Sequence, residues 1–360
     1  MEKTPKLEIA WVRGKGGRGD IDFSLPNFFF SLGARGSGKS SYLEMCAIKC
    51  LEAGGQVFDI YASKDNESLG WLRSKYVKEQ GKKIILLRGD MVGIKSEHEN
   101  IRATEFRISD LDRADIFVSA NACYSSMDDE FSSINQILDV LWKRHHWKKP
   151  IFLIMREAAN LIYSRMKIRQ NQNLAKAESV AMLRESRHSG TGVGLDSVRP
   201  TSVDIDLRAL SDYLVLKNSG MYALPKDMYW VYKTFNPAAM RQLKPEEFVI
   251  IDRFGRLGFG RFGLPEFHKL VTEDIIREVG LSVEYFEDPR GDDEVRDVIA
   301  EALAALGGEP EPNAVSAWIQ ANKGQVVSPG VVGKQCRALG YRSEQVYKDG
   351  KLRRLIKRLP

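Results

Sequence analysis

Apolar residues in this chain gather in short runs, separated by longer stretches in which they recur every three or four positions. The runs at 28–32, 56–61, 83–87, 115–119, 151–155, 192–196 and 213–216 are the length of strands. The stretches at 40–53, 131–147 and 172–186 have the spacing of helices. In the second of these, Ile134, Ile137, Leu138 and Leu141 fall on one face. Short apolar strands alternating with amphipathic helices predict an α/β fold built on a mostly parallel sheet. A different pattern, two apolar strand-like segments about a glycine-containing turn, covers 248–262 and predicts an antiparallel hairpin near the end of that core.

The pattern changes after about residue 281. An acidic stretch, 284–297, contains Asp288, Pro289, Arg290, Gly291, Asp292 and Asp293 and runs into a helix-like segment near 294–306. Gly307, Gly308, Pro310 and Pro312 form a second break. These breaks divide the chain into a core domain at 1–281, an acidic linker with a helix at 282–312 and a small module at 313–360. Charge supports the division. The last module holds ten Lys and Arg against two acids, whereas the whole chain of 360 residues carries only +6. The basic character therefore belongs to the tail and points to a polyanionic partner.

Within the tail, helical spacing at 313–321 and 329–339 is followed by a strand-like return through 346–356 with Asp349-Gly350 at its turn. This pattern is similar to winged-helix DNA-binding modules. The resemblance implies that Ser328 caps a recognition helix carrying Lys334, Gln335 and Arg337. A wing would then set Lys351, Arg353 and Arg354 against phosphates.

Composition removes several alternatives. No apolar run reaches membrane-spanning length, and the N-terminus has no signal-peptide core. Cys46, Cys50, Cys123 and Cys336 make no C-x-x-C pair, and the five histidines make no metal-ligand pattern. A cytoplasmic protein without disulfide or zinc framework is expected, with Cys46 and Cys50 as small core residues.

The most specific chemistry lies behind the first run. Gly33, Ala34, Arg35, Gly36, Ser37, Gly38, Lys39 and Ser40 read G-x-x-x-x-G-K-S between a strand and a helix. Glycines let the backbone N–H groups turn inward around phosphates, and the helix that follows presents its positive end to them. Lys39 is placed to reach the β and γ phosphates, the Ser40 hydroxyl to ligate Mg²⁺, and Ser41 to complete the loop. ATP with Mg²⁺ is the expected cofactor.

A second block is the apolar strand 151–155 followed by Arg156, Glu157 and Ala158. P-loop ATPases end such a strand in Asp-Glu, the Asp supporting Mg²⁺ and the Glu polarising water. Here Glu157 fits, but Arg156 stands at the Asp position. A cation there repels Mg²⁺, or else contacts phosphate. Asp196 and Asp59, at the ends of neighbouring strands, are candidates for the missing carboxylate. A third block runs from Arg184 and Arg187 through a glycine turn and a strand to Ser197, Val198, Arg199 and Pro200. Its polar groups fall at the strand's C-terminal end, where ligands bind in open α/β sheets.

Together these three blocks resemble the HerA/FtsK superfamily of P-loop ATPases over roughly 28–270. The resemblance implies a RecA-like core, a homo-oligomeric ring of six, ATP hydrolysis with Mg²⁺ and movement or packaging of duplex DNA. It implies Lys39 and Glu157 as catalytic groups and an arginine acting across subunits, for which Arg187 is the first choice before Arg184 and Arg208. Two departures, Arg156 and Val198 in place of a γ-phosphate-sensing Gln, bear on hydrolysis more than on binding. In a working motor, Arg156→Asp is expected to leave activity equal or higher. The alternative is a DNA-bound switch or adaptor that binds ATP with little turnover, in which Arg156 holds the γ-phosphate. Lys167 and Arg169, in the basic stretch 165–172, and the stretch 143–149 are further candidates for tracking DNA phosphates.

Overall fold

The computed structural model describes residues 6–13, 17–61, 65–143, 149–158, 177, 179–181, 184, 190–198, 210–221, 223–224, 226–270, 273–285, 292–324, 327, 332, 335–336, 339–348 and 351–358. The chain divides into two compact units, Met1–Tyr285 and Phe286–Pro360.

The strands of the first unit are β1 (Lys6–Arg13), β2 (Gly17–Asp22), β3 (Phe28–Leu32), β4 (Gln56–Tyr61), β5 (Ile84–Arg88), β6 (Val92–Lys95), β7 (Glu99–Arg102), β8 (Ile116–Val118), β9 (Ile151–Met155), β10 (Thr191–Ser197), β11 (Tyr213–Leu216), β12 (Glu247–Asp252), β13 (Leu257–Arg261) and β14 (Ser282–Tyr285). Twelve of them form one sheet in the order β2-β1-β13-β12-β11-β3-β10-β9-β4-β8-β5-β7. From β11 to β7 neighbouring strands run parallel. β12, β13, β1 and β2 extend the sheet as an antiparallel meander. β6 and β14 form a separate antiparallel pair.

The central parallel strands are apolar because both faces of the sheet are covered there. β3, β4 and β9 are buried at every position. One face packs Phe28, Phe30, Leu153, Met155 and Leu195 with Ile134, Ile137 and Leu138 of the helix Met127–Trp142. The other packs Phe29, Val57, Phe152 and Ile154 against Leu43, Cys46, Ala47 and Cys50 of the helix Lys39–Glu52. Cys46 and Cys50 are thus core residues, as expected, and all four cysteines are buried and free. Gly194 lets that helix approach, since a Cβ there would lie 2.8 Å from Leu43.

One strand, β10, lies between the strand that enters the glycine loop and the strand that ends at Arg156. This order in a mostly parallel sheet is consistent with the RecA-like P-loop core that the resemblance implies. The expected hairpin at 248–262 is β12–β13.

The second unit contains the helices Asp292–Leu306 and Pro312–Lys323 and the antiparallel strands β15 (Tyr341–Lys348) and β16 (Lys351–Arg358). Its core joins Ile299, Ala302 and Leu303 to Val315, Ile319, Val327, Val332, Cys336 and Ile356. The helix assigned from sequence to a linker therefore belongs to this unit's core. Residues 282–285, also assigned to the linker, are β14 of the first unit. Residues 286–291 of the acidic stretch, the Ser328 cap and the Asp349-Gly350 turn lie outside the described residues.

Candidate nucleotide site

The loop between β3 and the helix Lys39–Glu52 has the shape of a phosphate cradle. Gly36 and Gly38 take φ of 73° and 82°, a region that disfavours side chains. At Gly38 a Cβ would also lie 2.3 Å from the Pro245 carbonyl oxygen. At Gly33 it would lie 2.5 Å from Ser37 Oγ. The Ala34 N–H donates to the Asn218 carbonyl at 2.7 Å, which pins the loop to the segment after β11. The helix begins at Gly38 with no side-chain cap and no acid in its first turn, so its positive end is left to a ligand. Ser37 Oγ is buried without a hydrogen-bond partner inside the loop. Lys39 is buried and folds back to donate to the Ala34 carbonyl at 3.1 Å. An unsatisfied hydroxyl, an uncapped helix end and a cation confined to the loop fit an anionic phosphate chain.

Next to the loop stands Asp196, near the C-terminal end of β10. Its Oδ2 accepts from Ser40 Oγ at 3.0 Å and its Oδ1 accepts from the Glu157 N–H at 2.5 Å. Glu157 is half-buried and takes a φ of 46°, uncommon for a residue with a side chain. Burial pushes the Glu157 carboxyl above its ordinary value, and the neighbouring Asp196 pushes it further, against the pull of Lys39. Burial likewise raises Asp196, which Lys39 opposes and Glu67 reinforces.

Arg156 is bound by a carboxylate cluster beside this site, one member of which, Glu67, also bonds Ser40. The Arg156 side chain is 0% exposed. Nε donates to Asp59 Oδ1 at 3.0 Å, and Nη2 donates to Asp59 Oδ2 at 2.5 Å and to Glu44 Oε1 at 2.9 Å. Nη1 donates to Glu67 Oε2 at 3.1 Å. Burial works against the charge, yet the Asp59 and Glu44 carboxylates outweigh it and hold the guanidinium firmly protonated. Asp59 also accepts from Trp71 Nε1 at 2.9 Å, and Glu44 Oε2 meets His268 Nδ1 at 2.8 Å. The expectation that Arg156 contacts phosphate is therefore corrected: its donors are bound to three carboxylates. Asp59 is removed as the substitute carboxylate for the same reason.

The structure thus brings together Gly33–Ser41, Lys39, Ser40 and Glu157, and of the two candidate carboxylates named from sequence it sets Asp196 beside Ser40. Val198, just beyond β10, is half-buried. Arg184 is exposed. Arg187, Arg199, Pro200, Arg208, Lys167, Arg169, Lys334 and Arg337 lie outside the described residues, as do 144–148 and 165–172. Lys351, Arg353 and Arg354 lie on β16. Gln335 departs from its expected DNA-facing place. It is 4% exposed, and its Oε1 accepts from Arg296 Nε at 3.0 Å. It packs beside Cys336 toward the unit's interior, so it is removed from the DNA-facing set.

Sequence reasoning missed Glu44, Glu67 and His268. The legible signal was Glu44, an acid on the buried face of the loop helix, which needs a cation. Lys217 was missed as well. Buried behind the loop, it donates to the Pro245 carbonyl at 2.6 Å, and burial lowers its pKa to about 7.

Among the described residues no group of three or more His, Cys, Asp or Glu is placed to hold a metal alone. Mg²⁺ in such a site takes phosphate and water oxygens beside few protein ligands, and Ser40 next to Asp196 is a donor set of that kind. No helix among the described residues is long and apolar enough to cross a membrane.

No protein-family model matches the chain, and no curated protein does. Among solved structures it is similar to the genome-packaging NTPase B204 of Sulfolobus turreted icosahedral virus 2 in complex with ATP-gammaS. There the identity is 18% and the TM-score 0.40, over 68% of this chain and 100% of that one. It is also similar to the pCW3 conjugation coupling protein TcpA with ATPgS, at 15% identity and TM-score 0.42, over 73% of this chain and 67% of that one. A third similarity is to Thermomonospora curvata EccC (ATPases 2 and 3) with a signal sequence peptide. Identity is 10% and the TM-score 0.42, over 74% of this chain and 41% of that one. Likenesses this distant carry no functional argument.

Proposed function

We propose that this chain is a P-loop ATPase that uses ATP with Mg²⁺ to drive DNA movement or packaging. The observation that carries the enzymatic part is the gathering of the uncapped glycine loop, Lys39, Ser40 and the half-buried Glu157 carboxylate at one end of β3, β9 and β10. Backbone N–H groups of the loop bind the phosphate chain, and Lys39 exchanges its Ala34 contact for β and γ oxygens. Glu157 orients the attacking water, and its raised pKa makes it a stronger base for the developing proton. Bound Mg²⁺ supplies neutralisation of charge on the phosphates.

The DNA part rests on the HerA/FtsK resemblance and on the basic tail. In this reading the chain assembles as a homo-oligomeric ring, with Arg187 acting on a neighbour's nucleotide. Lys167 and Arg169 track the duplex. Lys334 and Arg337, with Lys351, Arg353 and Arg354 of β15–β16, bind it as a winged-helix module. The switch alternative needed Arg156 at the γ-phosphate, and its place among Asp59, Glu44 and Glu67 favours the motor.

The test is steady-state ATP hydrolysis with and without duplex DNA, for the wild type and Lys39→Ala. Turnover that rises with DNA and vanishes in the variant is expected. Tight ATP binding with no turnover at any DNA concentration would overturn the motor in favour of the switch.

A further inference from the structure

A divalent cation at a P-loop serine needs negative charge beside the hydroxyl, to order the serine and the cation's water ligands. The position expected to supply it holds Arg156, and the nearest alternative, Asp59, is bound on both oxygens by Arg156 and on one by Trp71. Three features single out a different carboxylate.

The first is register. β9 and β10 run parallel with Met155 opposite Leu195, so the next residue along each strand, Arg156 and Asp196, stands level with the other. β10 is also the strand beside β3, with Asp196 opposite Ser31. The end of β10 is therefore one strand nearer the loop than the end of β9. The second is contact. Ser40 donates its hydroxyl hydrogen to Asp196 Oδ2, whereas Glu67, the other carboxylate that bonds Ser40, is already paired with Arg156. The third is shared support. The other oxygen of Asp196 holds the backbone of Glu157, so one side chain fixes both the cation's serine and the water-orienting residue. Asp196 is 1% exposed, and no Lys or Arg donates to it in a hydrogen bond or ion pair among the described residues.

We propose that Asp196 is the positioning residue for the nucleotide's divalent cation, holding it at Ser40 from β10 in place of a carboxylate at the end of β9. The inference rests on the nucleotide-binding reading above. It assigns Asp196 a role that Asp59 and position 156 do not fill.

The full-length chain with ADP is titrated with Mn²⁺, followed by electron paramagnetic resonance. ADP affinity in EDTA is measured in parallel. Asp196→Asn keeps an acceptor for the Glu157 N–H but removes the charge. It should weaken Mn²⁺ about tenfold to a hundredfold, the usual cost of losing an outer-shell partner. ADP affinity in EDTA should match the wild type. Asp196→Ser, smaller and able to accept the same N–H, should show the same loss and serves if the first variant does not fold. Asp59→Asn should leave Mn²⁺ affinity unchanged. Wild-type Mn²⁺ affinity in either folded Asp196 variant, or the loss appearing in Asp59→Asn instead, overturns the assignment while the P-loop reading stands. A wild type that binds no ADP in EDTA overturns both.

Discussion

Replacing Arg156 tests whether its charge belongs to the fold or to the reaction. Arg156→Met keeps much of the volume and removes the cation, so the cavity contribution is small. What remains is Asp59 and Glu44, both wholly buried, and the partly buried Glu67, with their strongest donor gone. Breaking a buried ion pair from one side costs about 3–5 kcal/mol. A domain of this size loses roughly 2 °C of melting temperature per kcal/mol, so a fall of about 6–10 °C follows at neutral pH. The pH dependence has a definite sign. Carboxylates buried without a cation bind protons more tightly folded than unfolded, so they destabilise increasingly as pH rises. The gap between variant and wild type should therefore narrow as pH falls. Asp59→Asn added to Arg156→Met should restore part of the loss, because one uncompensated charge disappears. Arg156→Asp should melt lower still, since it sets a fourth carboxylate among three. The expectation from sequence concerns activity; the carboxylate cluster adds to Arg156→Asp a cost in stability. Thermal melts by circular dichroism at several pH values measure all of these. An Arg156→Met protein melting with the wild type at neutral pH, or an Arg156→Asp protein melting above it, would refute the argument.

Three further outcomes follow from the same geometry. Lys39→Ala should abolish measurable nucleotide binding by fluorescence titration while leaving the melt close to wild type, because among the described residues the Lys39 ammonium makes a single hydrogen bond, to Ala34. Gly38→Ala combines a φ of 82° with a Cβ 2.3 Å from the Pro245 carbonyl, so it should distort the loop and lower both nucleotide affinity and stability, read by calorimetry. For His268, burial lowers the pKa, but the hydrogen bond and charge of Glu44 outweigh it and the net shift is upward. The pair therefore stabilises fully below about pH 6.5, and its contribution fades as pH climbs through the raised value. His268→Gln should then cost more stability at about pH 6 than at about pH 9, and an equal cost at both would contradict the pairing.

The sequence revealed the centre of the sheet better than its margins. The bounds 28–32, 56–61, 151–155 and 213–216 coincide with β3, β4, β9 and β11. Strands covered on both faces read as apolar runs with breaks on either side, and that signal is local. β1 went unnamed because its burial alternates, Leu7 and Ile9 inward and Glu8 and Ala10 outward, while Ala10 and Val12 keep its outer side from reading as polar. β6, β7 and β14 are four residues each, too short to carry a period. The glycine loop was legible because its chemistry sits in eight consecutive residues. The surroundings of Arg156 were not, because Glu44, Asp59 and Glu67 come from three other elements.

That contrast bears on how the anomaly at 156 is understood. Compared position by position, an arginine at the end of β9 is the loss of a carboxylate. In space it is an exchange. The ends of β9 and β10 are level, so a cation on one and a carboxylate on the other places the same two charge types at the same edge of the sheet. The exchange has a physical logic on each side. Arg156 lies between β4 and the loop helix, where Asp59 and Glu44 are buried and need a cation to remain ionised. Asp196 lies beside β3, where it accepts from the Ser40 hydroxyl. Arg156 therefore needs its three carboxylates more than the phosphates need Arg156. A chain so arranged keeps negative charge at the loop hydroxyl without an acid at position 156.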